Sequence, residues 1–308
     1  MTEHQDRPVI AIIGAGLIGR GWSIVFARAG LPVRIWDPDA GLRRALPARI
    51  AEMLRAVGMA EEVCEQISVF DSLADALSGA SYVQENGPEK LEVKQALFAE
   101  MDGIAAPDTV LASSSSALVA SRFGEGLKGR ARILVAHPVN PPHLVPVVEL
   151  CPSPDTAPEV MDRAEALHRR VGQVPVRMSR EIDGFILNRL QAVVLAEAMS
   201  LIGQGIVSVE GLDDTMRHGL GRRWTLMGPL ETIYLNAPAG VPDYLERYGP
   251  MMAGLADSAA RGEAFTAQTA ERLAAAFPPA DHVPERSAQR DAKLAALDRH
   301  LRRYDTED

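Results

Sequence analysis

The chain of 308 residues is poor in cysteine: Cys64 and Cys151 are its only two, far apart and outside any metal-type spacing. That argues against a disulfide-stapled scaffold and a cysteine-based metal site, and no metal is expected. Both thiols read as small hydrophobes in a reducing compartment. Positive charge is also short: 32 Lys and Arg against 41 Asp and Glu leave a formal charge of −9. A nucleic-acid partner would need a basic face to neutralise phosphates, so none is expected. No apolar run is long enough to span a bilayer, which argues against a membrane partner. The opening Met1-Thr2-Glu3-His4-Gln5-Asp6-Arg7 is polar and lacks the apolar stretch of a secretory signal. A cytoplasmic protein is the expectation.

What is present is enough apolar residue, 47% of the chain, to bury a sizeable core. From Val9 to about Met178, short β-branched runs (Val9–Ile13, Val33–Trp36, Tyr82–Glu85, Thr109–Ala112, Arg132–Ala136) alternate with amphipathic stretches such as Leu17–Ala29 and Glu89–Met101. This alternation predicts βαβ units on a parallel sheet. Two further runs, Val145–Leu150 and Val174–Met178, flank a helical segment at Ala157–Val171 and extend the sheet edge. After Ser179 strand-like runs cease, and helices are predicted over Phe185–Gln204, from near Ser208, and onward to the C-terminus, whose acidic tail Tyr304–Asp308 should fray. The fold class is therefore α/β, a Rossmann-type doubly wound sheet domain followed by an all-helical C-terminal domain. The predicted boundaries are 1–182 for a dinucleotide-binding domain and 183–308 for a helical domain serving substrate and dimer contacts.

The turn Gly14-Ala15-Gly16-Leu17-Ile18-Gly19 falls between an apolar strand and a helix. Glycines in that context permit the tight turn, let backbone approach a pyrophosphate, and bring helix close to strand; the phosphates then meet free amides at the helix N-terminus. The second strand ends in Asp37, eighteen residues beyond Gly19, and no Arg follows it until Arg43. A carboxylate there accepts ribose hydroxyls and repels a 2′-phosphate, so NAD rather than NADP is the expected cofactor.

Ligands of doubly wound sheets sit at the carboxyl ends of strands. Two polar groups lie there: Ser113-Ser114-Ser115-Ser116 after one strand, and His137-Pro138-Val139-Asn140-Pro141 after its neighbour, with Glu149 twelve residues past His137. Hydride transfer from a secondary alcohol to nicotinamide requires removal of the hydroxyl proton. Histidine titrates nearest neutrality, and a carboxylate on its second nitrogen fixes the tautomer and stabilises the imidazolium. The remaining histidines, His4, His143, His168, His218, His282 and His300, are read as structural.

Together, Gly14–Gly19, Ser113–Ser116, His137-Pro138-Val139-Asn140-Pro141 with Glu149, and Asp183-Gly184-Phe185-Ile186-Leu187-Asn188-Arg189 resemble the L-3-hydroxyacyl-CoA dehydrogenase family, in order and spacing, from Val9 to about Tyr248. Ala136–Pro142, Glu181–Phe185 and Gly228-Pro229-Leu230-Glu231-Thr232 are similar to its lambda-crystallin branch, which includes L-gulonate 3-dehydrogenase. The resemblance implies His137 as acid–base group with Glu149 as its partner, and Ser116 and Asn188 holding the substrate oxygen. Ser115 could exchange roles with Ser116, and Asn140 would help shape the site. It also implies Glu89 and Lys94 as cofactor contacts, and a homodimer formed through the helical domain.

No lysine precedes Lys90, although Arg43, Arg44, Arg49 and Arg55 remain, and the stretch after the second strand is short for a CoA-clamping arm. Both features favour a small free 3-hydroxy acid over a thioester. A free carboxylate needs an anchor, best supplied by a guanidinium. In Gly221-Arg222-Arg223-Trp224 the resemblance to the branch, which keeps a matching arginine, implies Arg223 as the candidate, with Arg222 as the substitute. The expected activity is oxidation of the 3-hydroxyl of an L-gulonate-like acid to the 3-keto acid; the alternatives are an L-3-hydroxyacyl-CoA or a carnitine-type dehydrogenase.

Overall fold

The computed structural model describes residues 7–301 and Arg303, so the acidic tail and most of the polar N-terminal segment lie outside the described residues. Eight strands form one sheet: β1 (Ile10–Ile13), β2 (Val33–Trp36), β3 (Ile67–Val69), β4 (Tyr82–Glu85), β5 (Val110–Ser113), β6 (Ile133–Pro138), β7 (Val147–Pro152) and β8 (Val174–Arg177). Their order is β3-β2-β1-β4-β5-β6-β7-β8. Neighbours run parallel except β6 and β7, which are antiparallel.

The central strands are buried throughout because helices cover both faces. Successive residues of β1 serve opposite sides: Ile10 and Ile12 pack with Trp22, Phe26, Leu46 and Leu54, whereas Ala11 and Ile13 pack with Phe98, Met101 and Phe123. The first face is built by the helix Leu17–Arg28 and by Ala40–Ala56, whose start is capped by Asp39 accepting from the amides of Gly41 and Leu42. The predicted strands are all present, with ends shifted by a residue or two. Strand β3 was not anticipated: it is three residues long at the sheet edge, with Ser68 and Val69 exposed, and so carries no alternating apolar signal.

The chain divides into two compact units. One runs up to Ile186 and resumes at Pro284; the other is Leu187–Val283. The second unit has no strand among its residues and includes the helices Leu187–Gly203, Val209–Thr215, Pro229–Leu235, Val241–Ser258 and Ala267–Ala276. The pattern along the sequence predicts a single boundary at 182/183, with the whole C-terminus in the helical domain. In the structure the last helix, Val283–Leu301, groups from Pro284 onward with the first unit. Ala295 packs with Val57 and Leu144, and Arg299 Nη1 donates to the Val57 carbonyl at 3.1 Å. Its pattern announces a helix but not which body its apolar stripe meets.

One buried histidine couples this core to pH. His168 is fully buried beside Trp22, Phe26 and Tyr82, with Nε2 2.9 Å from the Tyr82 hydroxyl and Nδ1 unpartnered. Burial pushes its pKa from 6.5 down to about 3. Between those values the unfolded chain binds a proton that the folded one refuses, so stability must fall as pH drops through that window, by up to about 1.4 kcal/mol per pH unit. His143, pushed down to about 4 by burial, acts with the same sign. Urea unfolding at pH 7 and pH 5 should show lower stability at pH 5, and a smaller loss in a His168→Gln variant.

Candidate active site

The carboxyl end of β1 turns at Gly14, which has φ +101°; a Cβ there would lie 2.8 Å from the Asn86 carbonyl oxygen. A Cβ on Gly19 would come within 1.9 Å of the Gly14 carbonyl oxygen. The outer glycines are therefore required by packing. Gly16 differs: a Cβ there meets nothing within 4 Å, so the turn holds open space at the start of the helix Leu17–Arg28. No side chain caps that helix start, so the amides of its first turn are presented to a ligand. Leu17 is exposed, Ile18 partly buried and Ala15 buried, with its amide donating to Asp37 Oδ2 at 2.7 Å. Asp37 Oδ1 accepts from the Asp39 amide at 2.8 Å. Two amides thus orient the carboxylate and leave lone pairs for further donors. Gly14, Gly16, Trp36, Asp37, Asn86 and Gly87 line a cavity of about 800 Å³ at the β1/β4 switch point. Open amides, a glycine-made space and a terminal carboxylate fit a dinucleotide.

The strands β6 and β7 bring together the candidate acid–base pair. Their register sets His137 directly opposite Glu149. His137 Nδ1 lies 2.8 Å from Glu149 Oε2, both side chains being buried. Glu149 Oε1 accepts from the Ile186 amide at 2.8 Å. The imidazole is tethered through Nδ1, which leaves Nε2 as the nitrogen available for proton transfer.

The serine run resolves into distinct surroundings. Ser113 donates to Glu85 Oε2 at 2.6 Å, and Ser114 donates to Asn86 Oδ1 while accepting from Trp22 and Gln84. Ser115 is buried, donating to Glu89 Oε1 at 2.5 Å and accepting from the Leu118 amide. It is not presented to a substrate, contrary to the exchange with Ser116 that the repeat allowed; Ser116 is exposed. Glu89 lies in the loop before the helix Leu91–Ile104 rather than on it. Burial tends to raise its pKa, but the Ser115 hydroxyl, the amides of Ala117 and Leu118 and the charge of Lys94 together hold it below the usual carboxylate range.

Lys94 differs from its expected role. Its ammonium is buried, 3.0 and 2.9 Å from the two oxygens of fully buried Glu85 and 3.3 Å from Ser113 Oγ. A group so enclosed neutralises Glu85 and does not meet a ligand in the open cavity. Glu85, which also accepts from the Gly87 amide, and Asn86, which faces Ser114, escaped the sequence reading. The available signal was a carboxylate ending a short central strand, a buried position that a charge occupies only with a buried partner. Asn140 is exposed beyond β6, preceding a cis Pro141. Asn188 stands in the first turn of Leu187–Gly203, and Arg223 is exposed in the short helix Gly221–Trp224; both belong to the second unit. Among the described residues there is no cluster suited to a metal ion, and no helix is long and apolar enough to cross a membrane.

Residues 9–182 match the NAD binding domain of 3-hydroxyacyl-CoA dehydrogenase, and residues 184–273 match its C-terminal domain. The chain belongs to the 3-hydroxyacyl-CoA dehydrogenase family. Within it, the chain is 44% identical over 302 residues to a lambda-crystallin homolog of Bos taurus, covering 94% of each. It is 41% identical over 260 residues to a 3-hydroxyacyl-CoA dehydrogenase of Gibberella moniliformis, covering 82% of this chain and 81% of that one. Among solved structures, an NAD-dependent dismutase described as a 5-formyl-3-hydroxy-2-methylpyridine 4-carboxylic acid 5-dehydrogenase superposes with a TM-score of 0.83 at 26% identity, covering 96% and 99%. The chain is thus an NAD-dependent oxidoreductase of the lambda-crystallin branch of this dehydrogenase family.

Removing the partner of a buried charge is costly, whereas surface ion pairs matter little. Lys94→Met, which leaves Glu85 uncompensated, should lower unfolding free energy by about 3–5 kcal/mol in urea titrations.

Proposed function

We propose that this chain oxidises the 3-hydroxyl of a small free L-3-hydroxy acid to the 3-keto acid, with L-gulonate the first substrate to try. The observation that carries the reading is the buried His137–Glu149 pair on the strands beyond the dinucleotide cavity. Bound NAD supplies the hydride acceptor. Gly14, Ala15, Gly16 and Gly19, with the amides of Leu17 and Ile18, hold the pyrophosphate, and Asp37 accepts the ribose hydroxyls. His137 Nε2 takes the substrate hydroxyl proton. Glu149 holds Nδ1 and stabilises the imidazolium, while Ser116 and Asn188 hold the substrate oxygen and Asn140 shapes its surroundings. Glu89 braces the serine loop from the cofactor side.

A free acid is favoured over a thioester by the segment after β2. The helix Ala40–Ala56 buries Leu46, Ile50 and Leu54 in the core, and Arg43 is turned onto the Asp37 carbonyl and Asp71. Arg44, Arg49 and Arg55 remain exposed on this helix, which packs onto the sheet and does not extend away from it as a clamping arm. Arg223 then serves as the guanidinium anchor for the substrate carboxylate. The second reading is a 3-hydroxyacyl-CoA dehydrogenase, which the similarity to the 3-hydroxyacyl-CoA dehydrogenase of Gibberella moniliformis favours; a carnitine-type acid is the third. The helical unit exposes Leu190, Val193, Leu226 and Leu230, each more than 60% accessible, a surface that a second copy of the chain would cover in a homodimer.

NADH fluorescence on mixing with NAD and a panel of hydroxy acids tests the substrate. Turnover should be greatest with a free 3-hydroxy acid; acetoacetyl-CoA reduced more efficiently than every free keto acid would transfer the assignment to the thioester reading. His137→Gln should lower kcat by at least about 100-fold with NAD affinity retained. Arg223→Met should raise KM for the acid by about tenfold or more with a smaller change in kcat, and an unchanged KM removes Arg223 from the site.

A further inference from the structure

Among the described residues, Phe185 is the only one other than glycine with positive φ, at 50°. A bulky side chain rarely adopts that conformation, and such outliers persist only where surrounding structure imposes them, often beside an active site. Here the imposing structure is visible. Phe185 closes a turn by donating its amide to the Ile182 carbonyl at 3.1 Å, with Gly184 at φ 76° before it. The entry to the turn is held by Glu181, which accepts from the Ser121 amide at 2.8 Å. The Phe185 side chain is completely buried in the cluster that contains Phe123, Val135, Cys151 and Met178.

Two consecutive residues of this turn reach the acid–base pair from different sides. The Phe185 ring lies 5.2 Å, centroid to centroid, from the His137 imidazole at an interplanar angle of 39°. The next residue, Ile186, gives its amide to Glu149 Oε1, while Glu149 Oε2 faces His137 Nδ1. With both oxygens engaged, the planar carboxylate has no freedom to rotate away from the imidazole, and with a ring against it the imidazole has little freedom to tilt. An ordinary extended or right-handed residue at 185 would carry either the ring or the following amide elsewhere. The left-handed conformation is what lets neighbouring residues serve both members of the pair.

We propose that Phe185 is a positioning residue for the acid–base pair: its ring fixes the His137 imidazole and its backbone conformation delivers the Ile186 amide to Glu149. The proposal rests on the reading of His137 as the acid–base group. Its role is orientation and exclusion of water from the Nδ1–Glu149 bond, not contact with the reacting atoms.

The test combines kinetics with the downfield proton resonance of the His137 Nδ1–H, assigned by its disappearance in His137→Gln. Phe185→Leu keeps an apolar side chain but loses the planar face; Phe185→Met, closer in volume, serves if the leucine variant does not fold. Either folded variant should lose about 10- to 100-fold in kcat, as small misplacements of a catalytic group do, with NAD affinity unchanged. The downfield resonance should move or broaden through exchange with water. Phe185→Tyr, which keeps the ring, should retain both turnover and resonance. A folded leucine or methionine variant with parental kcat and an unmoved resonance overturns the proposal. A His137→Gln enzyme that still turns over overturns the underlying reading instead, so the two failures are distinguishable.

Discussion

The site depends on one strand pairing. Strands β6 and β7 are antiparallel in an otherwise parallel sheet, and their register sets His137 across from Glu149. Side chains alternate faces along a strand, so a slip of one residue would turn the carboxylate to the opposite side of the sheet and leave a buried imidazole beside apolar neighbours. The pairing is itself held by burial: Val135, Ala136, Val148, Leu150 and Cys151 around the pair are fully enclosed. Packing on both faces therefore fixes the hydrogen-bonded geometry on which the proposed acid–base chemistry rests.

A second charged cluster stiffens the neighbouring strand ends. Glu85 at the end of β4 holds Lys94 and Ser113, and through the Gly87 amide it ties down the loop that leads to Glu89. Glu89 in turn grips Ser115 and the amides of Ala117 and Leu118. These groups brace one another beneath the loop that displays Ser116. The mouth of β1 is built on the opposite principle. There glycines remove side chains so that space and unpaired amides remain. Rigid polar bracing beside an open, donor-rich turn is a physical basis for holding a cofactor while presenting a reactive edge.

Much of this was legible in the sequence because periodicity and punctuation report burial directly. The apolar strands before Gly14, Asp37, the serine run and His137 stand out without tertiary information, and each is followed by its polar group at the carboxyl end. The opposition of His137 and Glu149 was foreseeable from chemistry and family resemblance, although nothing local revealed that β7 reverses direction. Ser115 and Ser116 are indistinguishable as neighbours in a run; only the position of Glu89 separates a structural hydroxyl from a displayed one. Lys94 is likewise a lysine on a helix until Glu85 is found beneath it.

By itself, the sequence determined the α/β fold class and the glycine turn with a carboxylate ending the second strand, since periodicity and spacing suffice for both. His137 and Glu149 were singled out by their place at strand ends together with the family resemblance. Tertiary structure alone decided the antiparallel edge, the return of the last helix to the first unit, the burial of Lys94 and the left-handed Phe185 against His137. These depend on which surfaces meet across long stretches of chain, and no local pattern encodes the partner that a buried charge, an apolar stripe or an aromatic ring will find.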